Sequence, residues 1–411
     1  MKQKLFTKDF TLVVIGQIIS LFGNATLRFA LPLYLLNLTG SSALYGTVIA
    51  CAFIPAILLS PVGGIIADRL NKRNIMVTLD FFTAAVILIF FLLMDKGNLT
   101  ALLTITLMLL YGIAGAYQPS VQAAIPSLVN QGHFMAANSI INTISSFAAL
   151  TGPVLGGILY SAFGITPVLW LCILCFVLSA VMELFIHIPF QKQDRDGSIL
   201  KTVRTDFAES IRFIRKDKPV IGKALLAACG INLFLSSMII VAMPYLITEV
   251  FDLGVQANRL YGFAQGALAA GGLTGGICAG VYAHRLSIQK AGNLIIISAL
   301  AVFPISAALL LFSSGMINYL VITLCCFAIM VFSTIFTVQM MSFIQAETPQ
   351  HLVGKVISVI LTVAMCAQPL GNALYGVLFE LCRGAEYAVV LFSGIVSLLI
   401  ALRTVNIFKK F

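Results

Sequence analysis

Twelve stretches of this chain each run for about 20 residues or more with hardly a charged side chain, and a stretch of that length can cross the hydrocarbon core of a bilayer as a helix. Their approximate limits are 10–36, 42–66, 74–94, 100–126, 135–162, 166–188, 220–248, 258–282, 290–312, 316–346, 353–380 and 386–407, taken here as spans 1 to 12. Backbone amides find no water in lipid, so each such segment must close its own hydrogen bonds as a helix. Turn residues mark the short connectors, among them Thr39-Gly40-Ser41-Ser42, Asp95-Lys96-Gly97-Asn98, Phe163-Gly164 and Ser313-Ser314-Gly315. Of the 411 residues, 60% are hydrophobic and 10% charged. A soluble domain carries about a quarter charged residues, and one this apolar would expose large sticky patches. A water-soluble fold is therefore excluded.

Charge distribution then sets the orientation. The net charge of +10 would suit nucleic acid, but the basic residues are sorted by side. With the N-terminus in the cytoplasm, the outer connectors carry only Lys96, Arg259 and Arg383, and Arg28 lies within span 1. All other Lys and Arg, out of 25, fall on the cytoplasmic side, as the positive-inside rule requires. An even number of spans and two cytoplasmic termini follow. No cleavable signal peptide is expected, because the first apolar run continues through about 25 residues without a cleavage pattern. Nine cysteines are present. Cys172 and Cys175 form a CxxC, but inside LWLCILCFVLSA, where no polar neighbour lowers a thiol pKa or completes a metal shell. They read as apolar packing residues, and no metal site or cofactor is expected.

The organisation is a duplication. Leu44-Tyr45-Gly46 recurs as Leu260-Tyr261-Gly262, Gly64-x-x-x-Asp68-Arg69 as Gly280-x-x-x-His284-Arg285, and Pro153 as Pro369, all at an offset of 216 residues. The longest hydrophilic stretch, 189–219, separates six spans from six. This gives an N-terminal bundle over 1–188, a cytoplasmic linker over 189–219 and a C-terminal bundle over 220–411. Within the linker, Leu200, Val203, Phe207, Ile211 and Ile214 fall on one helical face, suiting a helix that lies on an anionic leaflet; a solvated linker is the alternative.

Gly64-Ile-Ile-Ala-Asp68-Arg69-Leu-Asn-Lys72-Arg73 resembles the signature loop of the major facilitator superfamily, with Asn71 where that pattern has glycine. The resemblance implies an all-α membrane fold of twelve helices in two pseudo-symmetric six-helix bundles. It also implies alternating access, with Asp68 as a latch toward the start of span 11, near His351 to Lys355. Gly64, Asp68, Arg69, Lys72 and Arg73, with Gly152 and Pro153 of span 5 and Gly280 and Arg285 of the second copy, are then gating candidates. Gly152-Pro153-x-x-Gly156-Gly157 in span 5 resembles the later part of a motif of drug antiporters in this superfamily, without its earlier glycines; ordinary helix packing accounts for it equally. The segments Gly16-Gln17-x-x-Ser20-x-Phe22-Gly23-Asn24 and Gln118-Pro119-Ser120-Val121-Gln122 look like the macrolide-efflux and enterobactin-exporter branch. That likeness covers nearly the whole chain and implies a proton-driven exporter of small lipophilic molecules, monomeric, in a bacterial cell membrane.

In such a fold spans 1, 4, 7 and 10 line the cavity, as the resemblance implies. At 100° per residue, Gln17, Ser20, Asn24 and Arg28 share a stripe of span 1, and Tyr111, Gln118 and Gln122 share one of span 4. Span 7 offers Asn232, span 10 Phe332, Phe336 and Gln339, and span 11 Met365 and Gln368. The chamber expected is aromatic and amide-rich, suited to amphipathic solutes, although Gln and Asn also join helix to helix. Arg28 reads either as functional or as snorkelling to the outer interface. Asp80 in span 3 and Glu183 in span 6 are the inner candidates for proton coupling, placed toward the cytoplasmic ends, and proton antiport itself comes from the resemblance. Uptake, siderophore or lipid transport remains the alternative. A polytopic enzyme is disfavoured because His133, His187, His284 and His351 are scattered at cytoplasmic span ends, no His/Asp/Glu cluster with ligand spacing is read in the sequence, and no phosphate-cradling loop occurs.

Overall fold

The computed structural model describes residues 6–129, 133–188, 199–282, 289, 291–349 and 352–408, and among these it is helical with no strand. The spans run over Lys8–Thr39, Ser42–Arg69, Lys72–Leu93, Leu99–Leu128, Phe134–Phe163, Ile165–Leu184, Pro219–Val250, Ala257–Val281, Ala291–Leu311, Gly315–Glu347, Val353–Leu381 and Glu386–Phe408. Eleven are apolar and long enough to cross a membrane. Span 8 has the length, 25 residues, but glycine dilutes its apolar character. The glycines have a structural use. A Cβ on Gly271 would stand 2.6 Å from the Phe327 carbonyl oxygen, and one on Gly275 2.5 Å from that of Val331. Spans 8 and 10 thus touch backbone to backbone and pack together extensively. In lipid, where hydrophobic exclusion does not drive helices together, such close approach supplies the dispersion energy that does.

The connectors show local chemistry at work. Asn71, the departure from the signature loop, caps span 3: its side chain accepts from the Arg73 amide at 3.0 Å with φ −64°, so no glycine is needed there. Asn98 caps span 4 through the Ala101 amide. Gly164 carries the chain from span 5 to span 6 at φ +76°, where a side chain would be strained. Both copies of the repeated tyrosine, Tyr45 and Tyr261, are buried near the start of spans 2 and 8, and both prolines, Pro153 and Pro369, lie inside their helices. All nine cysteines are free thiols.

The chain divides into two compact units, Met1–Leu35 with Cys51–Ile199, and Leu36–Ala50 with Leu200–Phe411. In the second unit the turn between spans 1 and 2 is held by the end of span 11. Ser41 Oγ donates to Glu380 Oε2 at 3.0 Å, Ser42 Oγ donates to the Gly376 carbonyl at 3.0 Å, and Gly46 leaves no room for a side chain beside the Asn372 carbonyl.

The linker forms a helix over Ile199–Arg212 and then widens over Phe213–Asp217 before entering span 7. Phe207 stays exposed, but Ile214 is 3% exposed, packed with Phe213 among Ile221, Ile344 and Leu352. Ile214, on the wide turn that follows the linker helix, therefore serves protein packing. Leu200 and Val203 have side chains outside those described. The linker helix is also tied to span 11 by the ion pair of Lys355 with Glu209 at 2.8 Å.

Candidate functional site

Within the first unit the polar stripe of span 1 turns toward spans 3, 4 and 6. Gln17 is fully buried, and its Nε2 donates to the Tyr117 hydroxyl at 2.7 Å. That hydroxyl donates in turn to Glu183 Oε1 at 2.8 Å. One turn along span 1, Ser20 Oγ donates to Asp80 Oδ1 at 3.0 Å. Asp80 also lies beside Tyr117, Ser179 and Glu183. Asp80 is 2% exposed and Glu183 0%. Neither takes part in any ion pair among the described residues. Asp80 Oδ2, Glu183 Oε2 and Gln17 Oε1 are buried with no donor. Burying two carboxylates that form no ion pair costs several kcal/mol in principle, of the order of a buried charge. A cluster so rich in acceptors and poor in donors is therefore a chemical feature and not a packing solution.

A cavity of about 90 Å³ adjoins this network, lined by Ser20, Asn24, Arg28, Asp80, Tyr117 and Gln118 among others. Arg28 lies over the Tyr111 ring, its guanidinium carbon 3.6 Å from the centroid. Arg28 is thus held inside the unit by a cation–π contact and lines a polar recess. Span 6 is secured from below by Arg73, whose guanidinium donates to the main-chain oxygens of Glu183, at 3.4 Å, and of Leu184. A cation on the last carbonyls of a helix satisfies them and complements the helix dipole.

The second unit holds a larger cavity, about 350 Å³, between spans 7, 10 and 11. Its walls are apolar, with Met330, Phe336, Met340 and Ile360, and Asn232, Ser236, Ser333, Thr334 and Thr337 supply the polar groups; no charged side chain lines it among the described residues. Span 7 widens by one residue per turn over Asn232–Ser236, where the Ser237 amide bonds the Asn232 carbonyl. Such π turns recur at functional positions because they aim side chains that a regular helix would not. Here the turn places Asn232 and Ser236 in the wall. Asn232 is fixed by donating to the Ala364 carbonyl at 2.9 Å, and Ser237 Oγ bonds the Asn232 and Gln368 carbonyls.

The structure thus brings Gln17, Asp80 and Glu183 into one network, Asn24, Arg28 and Gln118 into the adjoining recess with Tyr111 against it, and Asn232 and Phe336 into the second cavity. Gln122 and Met365 are exposed outside both; Phe332 and Gln368 are half-buried and Gln339 buried, none of them in the cavity wall. Gly152 abuts span 1, where a Cβ would lie 2.5 Å from that of Ala25, and Pro153 follows it inside span 5. Lys72 is half-buried at the start of span 3, and Gly280 is exposed with open space around it. Gly64 lies within span 2; the side chains of Asp68 and Arg69, and residues Arg285 and His351, lie outside those described. Tyr117, the centre of the buried network, is absent from the candidates drawn from sequence. Its signal is weak: a tyrosine beside Gln118, one helix away from any acid.

Many apolar spans and buried polar recesses define a multi-pass membrane protein that handles small solutes. The chain belongs to the Major Facilitator Superfamily, whose family pattern it matches over residues 13–372. It is 24% identical over 365 residues to macrolide efflux protein A of Streptococcus pyogenes, covering 87% of this chain and 86% of that protein. To multidrug efflux pump Tap of Mycobacterium tuberculosis it is 22% identical over 376 residues, 90% and 86% of the two chains. Among solved structures it resembles the nucleoside transporter NupG, with TM-score 0.78 and 14% identity over 98% of this chain and 100% of that one. A bacterial homologue of the iron transporter ferroportin gives TM-score 0.71 and 17% identity over 96% and 98%. At these identities the structures establish the fold and nothing of the substrate. The chain is a transporter and not an enzyme.

Proposed function

We propose that this transporter exports small lipophilic or amphipathic molecules from the cell by alternating access, with protons moving the opposite way. The observation that carries the reading is the cavity of the second unit. An uncharged wall of methionine, phenylalanine and isoleucine with one amide and a few hydroxyls suits a bulky apolar solute that carries scattered polar groups. Methionine adds adaptability, since its flexible thioether repacks around different shapes. A nucleotide or sugar phosphate finds no cationic partner there. The names of the macrolide and multidrug efflux relatives support the same direction and solute class. On this reading the protein works as a monomer in the cell membrane with both termini in the cytoplasm, and Asp68 latches the cytoplasmic side.

Dye accumulation in cells with and without the protein tests this. Cells that carry it are expected to hold less ethidium, a lipophilic cation, and to lose the difference when the proton gradient is collapsed. Equal accumulation in the carrying cells would contradict export, and higher accumulation would favour uptake. Within the same assay, Phe336→Ala is expected to change the ranking of several dyes, because it removes an aromatic wall worth about 1–3 kcal/mol to a solute packed on it. An unchanged ranking would move the solute elsewhere.

A further inference from the structure

The buried network of the first unit has a use that goes beyond solute binding. We propose that Asp80 and Glu183, bridged by the Tyr117 hydroxyl, form the site at which the coupling proton is held. This rests on the proton-antiport reading above and names the groups that would carry it out.

The argument is one of donors and acceptors. Gln17 Nε2 gives its hydrogen to Tyr117, Tyr117 gives its own to Glu183, and Ser20 gives its own to Asp80. After those bonds, three oxygens from three different spans still accept nothing: Gln17 Oε1, Asp80 Oδ2 and Glu183 Oε2. All three side chains are at least nine-tenths buried. A proton on one carboxyl supplies a donor and removes one of two like charges that repel in a poorly solvated site. The Tyr117 hydroxyl can then pass it along. A protonated Asp80 donates to the phenol oxygen as the phenol hydrogen moves to Glu183, one O–H bond breaking for each that forms. No redox change and no further reactant is involved.

The surroundings leave this role open. From span 1, Arg28 faces the same recess as Asp80, with its guanidinium carbon over the Tyr111 ring and its Nε buried without a hydrogen-bond partner; Lys8 and Asp9 stand at the start of that span, where Asp9 accepts from the His187 amide, one turn past Glu183. From span 3, Arg73 is engaged with main-chain oxygens of span 6. From span 6, Cys172 and Cys175 are buried thiols a turn or more from Glu183. From span 5 the only titratable side chain is Tyr160. The recess beside Asp80 brings Asn24 and Gln118 next to the network. The same oxygen-rich site would also attract a sodium ion, and the test separates the two.

The test is infrared absorption of the purified full-length protein in lipid nanodiscs, following carboxyl C=O stretching as the pH is varied. A protonated-carboxyl band is expected that fades as the pH rises and is missing from both Asp80→Asn and Glu183→Gln, because it belongs to the pair. Tyr117→Phe keeps both carboxyls and removes the bridge, so it is expected to shift the band without abolishing it. That variant serves also if an acid substitution fails to fold. A wild-type spectrum without the band, a band untouched by the acid substitutions, or one unmoved by Tyr117→Phe overturns the proposal. So does a band lost when sodium chloride replaces choline chloride at constant pH, which would make the site one for sodium. Ethidium extrusion is measured separately. The band without extrusion upholds the pair and removes the export reading; extrusion without the band does the reverse.

Discussion

Replacing Glu183 by glutamine is expected to lower uphill ethidium extrusion by at least about tenfold, while the melting temperature of the purified protein stays level or rises. Glutamine keeps the size of the side chain and one oxygen for the Tyr117 hydroxyl, now 2.8 Å away. It deletes one buried charge, and removing a buried charge that has no cationic partner relieves a cost to the fold. What it removes from function is a titrating group. A tenfold loss corresponds to about 1.4 kcal/mol of coupling, within the range by which one binding event drives another in linked systems. The pairing of readouts is informative. A residue that served packing alone would lose stability and activity together, whereas a coupling group loses activity only. Extrusion at the wild-type rate would remove Glu183 from the transport cycle.

The second large effect is structural. Gly275→Val in span 8 is expected to destabilise the protein by about 3 kcal/mol and to cut its yield sharply. A Cβ there would stand 2.5 Å from the Val331 carbonyl oxygen and 2.9 Å from the Thr334 Cβ, and valine adds two methyls beyond it. The obstacle is backbone of span 10, which cannot rotate away as a side chain does. Gly276, the next residue, has open space at its Cβ position and provides the control. Gly276→Val on the same helix is expected to melt close to the wild type. Thermal unfolding in detergent, followed by size-exclusion chromatography, reads both. Equal melting of the two variants would show that spans 8 and 10 do not depend on the close contact.

The contrast between these sites shows which parts of the molecule can be read from one dimension. The spans were legible because apolar length alone decides what lipid accepts. Span 8 is the faintest of them for a physical reason, since its glycines trade hydropathy for backbone contact. The substitution of Asn71 for a signature glycine looked like a departure, yet its side chain does the work of starting span 3. Asp80 and Glu183 were each visible as rare intramembrane acids. Their meeting was not visible, because it depends on how spans 3, 4 and 6 rotate about their axes, and Tyr117 is one of many polar residues until that rotation is known. The same holds for Asn232. Its amide was legible, but its seat in the cavity depends on a wide turn that the sequence around it does not announce. Phe332 and Gln339, given the same weight as Phe336 by helical periodicity, lie off the wall, because span 10 turns the face with Met330, Thr334, Thr337 and Met341 to the cavity; Gln368 of span 11 lies off it too.

The central claim is that a proton gradient drives lipophilic solute outward through this chain. Inside-out membrane vesicles, with the lumen made acidic, test it most directly. Ethidium is expected to accumulate in the lumen of vesicles that carry the protein, and that accumulation should stop when nigericin collapses the pH difference. Accumulation no greater than in vesicles lacking the protein, or accumulation that persists undiminished without the pH difference, would contradict the account.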